Sequence, residues 1–562
     1  LPPEKRDRFL NNWIERSFIN YAAIRLLTMP LKALHFDDPE IFKTLGCIYK
    51  PEPTVDERPR YLDKVASLPE CDDETIEVDA VVVGTGAGGA PVAHGLAKAG
   101  HAVLMLEEGR YFTRKDFQGT RVENTRKTYR YMGTLTTFGN ALIPIPQGKT
   151  VGGSTTINSG TCYRTPEWVL EKWRKETGLS FLNEESLAPY FEDVETALRV
   201  EAAKPRFLTG VEKMIAKGCD SLGYRHGPLR RNAPDCDGQG FCCYGCPTDA
   251  KRSTNVSYVP MALNQGAFLY TGARVEEILV EEGRAVGVVA RAEREDGSVA
   301  KLVVRARAII LSCGTLLTPM LLMKNGLLKN SPALGRNLVI HPAMQMLAMF
   351  GEELRGWNGI PQGYAIEEFH RAGILFEGAF TPLEVASLGI PFHGEKFMEI
   401  MEGFNRLATF GFFVADRGGG SIRPGPMGRP IVHYNLHKDD IARVKLGASV
   451  LWRVFKEAGA TEIFSNIHGH EELTSQEAHD RMMRSRVRGR DLEMTAFHPL
   501  STARLGSDPK TSVVDENHES HELPGLFIVD GSSVPASPSV NPQVTIMALA
   551  LRAAERIAHQ LN

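Results

Sequence analysis

The feature that most constrains this chain is a glycine cluster set between two apolar runs. Residues 78–83 are apolar enough for a buried parallel strand and lead directly into Gly84-Thr85-Gly86-Ala87-Gly88-Gly89. A helix-like run follows at 90–98, then Gly100 and a second apolar run at 102–106 that ends on Glu107. Strand, glycine turn, helix, strand and acid, in that order, is the pattern of a dinucleotide-binding βαβ unit. Gly84 permits the tight turn, Gly86 lets backbone approach a pyrophosphate, and Gly89 lets the helix sit close on the strand. Ala87 and Gly88 complete the turn, and the helix start offers free N–H groups and a positive dipole end to phosphate. Glu107, 23 residues after Gly84, can accept ribose hydroxyls and would repel a 2′-phosphate. Glu108 reads as its solvated neighbour. The turn alone does not separate a flavin from a nicotinamide dinucleotide.

Composition narrows the partners. With 65 Lys plus Arg against 68 Asp plus Glu, the chain carries a net charge of −3 and no strong basic field, so nucleic acid is excluded as a main partner. Its 562 residues leave room for three or four domain-sized units. The long uncharged run 531–551 is interrupted by Pro535, Pro538 and Pro542, and the apolar run 308–323 is short; neither would span a bilayer. Nine cysteines are too few for a disulfide scaffold, which favours a reducing compartment. The expected location is cytoplasmic or at a membrane periphery. Since the first residue is Leu1, a removed targeting segment stays open.

Residues 1–75 read as a helical N-terminal extension and connector. Within it, 18–36 mixes apolar residues with Arg25 and Lys32 at helical spacing, and Pro30 is expected to kink or end the helix. This segment would pack on the body or rest on a membrane surface, packing being favoured. Pro51, Pro53, Pro59 and the acidic run 70–77 mark the connector. Further on, 165–200 is amphipathic and helical, whereas 269–280 and 286–306 alternate as hairpin strands do. From 341 to 490, strand-like runs with Phe397, Met398, Met401, Phe404, Phe410, Phe412 and Phe413 suggest a second, sheet-based domain. A short buried strand at 525–529 and a helix at 543–560 close the chain.

Several separated blocks then carry a family resemblance. Gly148-Lys149-Thr150-Val151-Gly152-Gly153-Ser154-Thr155-Thr156-Ile157-Asn158 resembles the first signature of the glucose–methanol–choline (GMC) flavoprotein oxidoreductases. Gly314-Thr315-Leu316-Leu317-Thr318-Pro319 resembles the start of the second, except that the family's later serine is Asn325 here. Gly335-Arg336-Asn337-Leu338 with His341-Pro342, the block 498–506, and Asp530 through Asn541-Pro542 follow in the family's order. The resemblance implies an α/β fold. A Rossmann-like FAD-binding domain (76–164, 233–345 and 491–562) would be joined to an antiparallel, sheet-based substrate domain (165–232 and 346–490). It implies FAD, held covalently or not, against Gly148, Gly152, Gly153, Ser154 and Asn158. Val275 matches the position whose backbone meets the adenine, and Asp530-Gly531 would reach the ribityl chain or pyrophosphate. Pro542 and Gln543 open the last helix, whose free N–H groups would stabilise negative charge on the reduced flavin.

Oxidising an alcohol removes a hydroxyl proton and a carbon-bound hydride. Histidine suits the proton transfer because its unperturbed pKa is about 6.5. Of 16 histidines, His498 opens the block that matches the family's catalytic segment. Asn541, 43 residues on, stands where relatives carry Asn or His, and its amide would orient the substrate oxygen. His341 reads as structural, and His468, His470, His518 and His521, set among polar groups, as surface residues.

Four cysteines crowd into Cys236-x5-Cys242-Cys243-x2-Cys246-Pro247. Cys236, Cys242 and Cys246 resemble the cluster loop of bacterial FAD glucose dehydrogenases, which implies an iron–sulfur cluster. Similar loops in long-chain alcohol oxidases imply no metal, so buried thiols or a disulfide, or a zinc site, stay open beside it. His35-Phe36-Asp37-Asp38-Pro39-Glu40 and Arg164-Thr165-Pro166-Glu167-Trp168 resemble the long-chain alcohol oxidase branch. The expected substrate is a small-molecule alcohol, long-chain or sterol-like, with oxygen or another acceptor reoxidising the flavin. A sugar or polyol dehydrogenase using the cluster, and a non-redox lyase of the same fold, are the alternatives.

Overall fold

The computed structural model describes residues 2–47, 60–378, 380 and 382–562. Pro51, Pro53 and Pro59 of the expected connector lie outside the described residues. Two sheets organise the chain. The first has eight strands, with Val65–Ser67, Phe268–Thr271, Val103–Glu107, Glu74–Val83 and Val299–Leu311 side by side and parallel. Arg284–Glu293 and Arg274–Glu281 add an antiparallel hairpin edge, and Leu526–Ile528 pairs parallel with Val299–Leu311. Val81, Val82, Leu104 and Leu311 are almost fully buried, as expected for central parallel strands covered on both faces. The helices Gly89–Lys98 and Gln543–Leu561 pack on each other and on this sheet.

Register decides where the site falls. Leu311 pairs with both Val83 and Ile528, so three parallel strands end at one level. Their carboxyl ends deliver the glycine turn at 84–89, the loop from Ser312, and Asp530-Gly531 to the same edge. Ligands bind open α/β sheets in the crevice outside those carboxyl ends.

The second sheet is antiparallel. It runs from Glu462–Ser465 through Pro342–Met349, Leu407–Val414, Ile374–Glu377 and Tyr364–Ile366 to His226–Pro228, with Thr495–Ala496 also on Pro342–Met349. Phe376, Phe410 and Phe412 fill its core against the long helix Lys438–Ala458. Phe397, Met398 and Met401, expected in strands, lie on the helix Gly394–Glu402 instead. Phe397, Ile400 and Met401 are its buried positions, a spacing of three and four rather than two.

At the N-terminus, Pro30 does not end the helix Phe18–Phe36, which continues through it. Both Pro30 and Leu26, whose carbonyl loses its helical donor, are exposed, so water can meet that carbonyl. The helix packs on the body through Tyr21, Arg25 and Phe36. Arg25 donates to both oxygens of Glu493 and to the carbonyls of Leu388 and Ile390.

Candidate active site

A cavity of about 1620 Å³ opens where the carboxyl ends of the parallel strands face the antiparallel sheet. Gly84, Gly86, Ala87, Gly88, Glu107, Gly148, Gly153, Ser154 and Asn158 line it, as do Val275, His498, Asp530, Gly531, Asn541, Pro542 and Gln543. Two residues of the sequence-predicted set, Gly89 and Gly152, are not on the wall. Gly89 stands where a Cβ would lie 1.9 Å from the Gly84 carbonyl oxygen, which is the close helix–strand contact foreseen for it. Gly152 has φ +92° and donates its N–H to Thr85 Oγ1 at 3.0 Å, tying the two glycine turns together. A Cβ on Gly88 would fall 1.8 Å from the Val529 carbonyl oxygen, whereas one on Gly86 would meet nothing within 4 Å. The turn is therefore packed against protein on one side and open to the cavity on the other.

Glu107 is buried, and its carboxylate accepts from the Thr85 and Gly109 amides and the Thr85 hydroxyl. Glu108 is not the solvated neighbour expected. It lies against Arg130 at 2.8 Å and Lys149 at 3.4 Å, which hold its carboxyl down at about 2 against the effect of burial. Asp530 takes four donors, Gly314 N, Thr318 Oγ1, Ser532 N and Ser532 Oγ. Those donors fill its lone pairs and tie the neighbouring loops to it at the cavity wall. Asn158 and Gln543 pair side chain to side chain at 2.9 Å, and Gln543 also donates to the Thr161 carbonyl.

His498 and Asn541 are brought together across 43 residues. His498 Nε2 faces Asn541 Nδ2 at 3.5 Å, and burial pushes the imidazole down to about 3, so it is neutral at ordinary pH. Two residues missed as functional complete the arrangement. His341, expected to be structural only, places its Nδ1 3.1 Å from His498 Nδ1 and its Nε2 2.6 Å from Ser537 Oγ. Its backbone sits at φ +50°, held by Asp416, which accepts from the amides of Ile340 and His341. Such strain persists only where surrounding structure over-determines it. Glu377, at the end of Ile374–Glu377, accepts from Asn541 Nδ2 at 2.8 Å. Glu377 is buried, no cation pairs with it among the described residues, and burial raises its carboxyl to about 7.

These contacts select one tautomer. With its two Nδ2 protons directed at Glu377 and His498 Nε2, Asn541 needs an acceptor on that ring nitrogen. His498 then carries its proton on Nδ1 and donates it to His341. The lone pair of His498 Nε2 is met, at the long distance of 3.5 Å, by the Asn541 amide, and Asn541 Oδ1 is buried with no hydrogen-bond partner among the described residues.

Of the cysteine loop, Gly240, Cys243 and Tyr244 reach the cavity wall. Neither Cys236, Cys242 nor Cys246 lines the cavity, and the described residues contain no group of three or more His, Cys, Asp or Glu arranged to hold a metal. The expectation of a cluster on these three sulfurs is not supported. Cys242 Sγ accepts from Arg231 at 3.2 Å, Cys236 Sγ from the Gly238 amide, and Cys246 Sγ from the Lys251 amide. Arg231 and the buried Lys251, beside Cys242 and Cys243, already supply positive charge there. All nine cysteines are free thiols. His518 is also corrected: it is fully buried, with Nδ1 2.9 Å from the Ile528 carbonyl.

Residues 125–343 and 420–550 match the two family models described as GMC oxidoreductase. An uncharacterized GMC-type oxidoreductase of Mycobacterium tuberculosis is 38% identical over 480 residues, covering 85% of this chain and 75% of the relative. The long-chain-alcohol oxidase FAO4B of Arabidopsis thaliana is 30% identical over 519 residues, 87% of this chain and 68% of the relative. Among solved structures, Aspergillus oryzae formate oxidase superposes with a TM-score of 0.65 at 16% identity, over 87% of this chain and 99% of its own. Pyridoxine 4-oxidase gives a TM-score of 0.63 at 18% identity, over 86% and 99%. With the paired glycine turns and the strand ends they join, these matches make the chain a member of the GMC oxidoreductases.

Proposed function

We propose that this chain is an FAD-dependent alcohol oxidoreductase that acts on a hydrophobic alcohol, with His498 as the base. The observation that carries the reading is the neutral His498 on the cavity wall, its Nε2 an acceptor 3.5 Å from Asn541 Nδ2. Fit to FAD rests on the glycine cradle, where Gly86 leaves open space for a pyrophosphate while Gly88 and Gly89 admit no Cβ. Gly84, Gly86, Gly148, Gly153, Ser154 and Val275 would hold the dinucleotide, and the free N–H groups at the start of Gln543–Leu561 would face its ring. Bound there, FAD supplies the hydride acceptor.

The chain's own residues handle the proton. His498 Nε2 accepts it from the substrate hydroxyl, which takes the place of the 3.5 Å contact from Asn541, and His341 fixes the ring so that this nitrogen stays unprotonated beforehand. The anionic Glu377, bonded to Asn541, offsets the positive charge that His498 gains. Asn541, with one Nδ2 proton held by Glu377, turns the other from His498 Nε2 to the hydroxyl oxygen and so orients it.

A hydrophobic alcohol is favoured by the walls beyond this pair. Val385, Leu388, Leu492, Met494 and Phe497 line the cavity there, and unbranched Met adapts to chains of different length. The relatives named long-chain-alcohol oxidases agree with this reading. The test is anaerobic bleaching of bound flavin by a series of primary alcohols, sterols and sugars, followed by admission of air. Faster bleaching with longer chains is expected. Preference for sugars would overturn the substrate reading, and turnover without bleaching would favour a lyase.

A further inference from the structure

The helix Phe18–Phe36 is apolar on its exposed side as well as on the side that packs. Ile19, Leu26, Leu27, Leu31 and Leu34 are 58–77% exposed. At 100° per residue they fall on one arc, opposite the buried Tyr21, Arg25 and Phe36. An outward stripe of five large aliphatic side chains is unusual on a water-facing helix, which ordinarily turns polar residues outward. Isolated exposed leucines need no explanation; a contiguous patch does.

The stripe also borders the cavity. Leu26 and Leu34 are exposed to the outside and line the cavity wall, together with Met29, Pro30 and Ala33 of the same helix. Across the opening, Met132 and Leu142 are each about half exposed and line the same wall. The opening that leads towards His498 is thus rimmed by apolar residues from separate segments. Basic residues precede the stripe in the chain. On the preceding helix, Pro3–Glu15, Lys5 and Arg8 share a face with the 68%-exposed Phe9, and the exposed Arg16 leads into Ile19. No described helix is long and apolar enough to cross a membrane. Aliphatic side chains flanked by Lys and Arg on helices that cannot span are the features of a segment lying in a bilayer interface.

We propose that Phe18–Phe36 docks the protein on a lipid surface bearing anionic headgroups, with the cavity opening against the bilayer. The apolar stripe enters the headgroup–acyl boundary, and Lys5, Arg8 and Arg16 meet the anionic phosphates. Docking itself does not depend on which alcohol is oxidised. Direct transfer of a bilayer-dissolved alcohol into the cavity rests on the hydrophobic-alcohol reading above.

Flotation of the FAD-loaded protein with phosphatidylcholine vesicles containing roughly one-third phosphatidylglycerol tests the docking. The wild type is expected to float with these vesicles, less with pure phosphatidylcholine, and less at high salt. Leu27→Glu with Leu31→Glu alters two exposed residues that do not line the cavity. This double variant should bind vesicles about 100-fold more weakly or worse. Its flavin content and its turnover of a short, water-soluble alcohol should be unchanged. Equal flotation of wild type and variant would overturn the proposal, as would no flotation of either. So would a wild-type dimer in light scattering that the variant splits, since a second copy would then cover the stripe. Vesicle binding without preference for long-chain alcohols would sink the substrate reading alone.

Discussion

Glu377→Gln separates the contribution of a buried anion from that of the base it serves. The wild-type carboxyl is buried, bonded to Asn541 through Oε1, and raised from 4.5 to about 7 by burial. An acid whose folded pKa is raised costs stability as pH rises. Below about 4.5 both folded and unfolded forms bind the proton and nothing is lost. Between 4.5 and 7 only the unfolded chain ionises, and above 7 the folded protein carries the full penalty. The interval corresponds to about 3 kcal/mol as an upper bound. Glutamine keeps an oxygen for Asn541 Nδ2 and removes the charge. Relative to wild type, the variant should gain up to about 3 kcal/mol at pH 8 and almost nothing at pH 4.5. Rate should move the other way. Without the anion, nothing offsets the charge on His498, so anaerobic flavin reduction should fall about tenfold or more above pH 7. Wild-type rate should rise with pH through about 7, and the variant should lack that inflection. Melting temperature from pH 4.5 to 8.5, on samples of equal flavin loading, and stopped-flow reduction over the same range provide the readouts. A stability difference independent of pH, or an inflection retained in the variant, would refute the reasoning.

His498→Ala should slow anaerobic flavin reduction by about 10²–10⁴-fold while FAD stays bound, measured by stopped flow and by flavin release on denaturation. The glycine turn yields a contrasting pair. Gly86→Ala, whose Cβ meets nothing in the protein, should fold with near-normal stability yet retain little FAD. Gly88→Ala, whose Cβ would collide with the Val529 carbonyl, should lose stability as well, seen as a lower melting temperature without cofactor. For the cysteine loop, iron analysis of anaerobically purified protein should find no stoichiometric iron. Denaturation should release nine titratable thiols.

Much of the parallel sheet and its glycine turn could be read from the chain because their signals are local. An apolar run, glycines at fixed offsets and an acid after the second strand are all visible within 30 residues of one another. His498 and Asn541 were legible through the blocks in which they sit. Their partners were not. Glu377 meets Asn541 from 164 positions away, at the end of a strand of the other sheet. Its only local mark is an acid closing the apolar run Ile374-Leu375-Phe376. His341 was noticed beside Pro342 but not its approach to His498, which depends on a left-handed backbone at φ +50° that non-glycine residues seldom adopt. Phe397 and Met401 misled for a different reason: a short apolar segment fits both periods until its neighbours are known. His518 misled because polar neighbours in sequence need not be neighbours in space.

The two sheets contribute unlike things to the cavity. The parallel sheet supplies backbone: strand ends in register, turns that admit no Cβ, and a helix start, all suited to a dinucleotide. Titratable side chains come towards His498 from around the antiparallel sheet, Glu377 from one of its strands and His341 from just before another. His498 lies between them, two residues after Thr495–Ala496, the short strand added to Pro342–Met349. A base in this position must be neutral before reaction and tolerated as a cation during it. On the reading proposed above, burial secures the first condition, and Glu377, acting through Asn541, the second. Burial alone would leave a histidine too weakly basic to take a hydroxyl proton. A carboxylate bonded directly to the ring would instead favour the imidazolium and occupy the nitrogen that must receive that proton. On that reading, an anion one amide away, with that amide in only a long 3.5 Å contact that substrate can displace, meets both requirements and joins Asn541 and Glu377 to His498 as one unit.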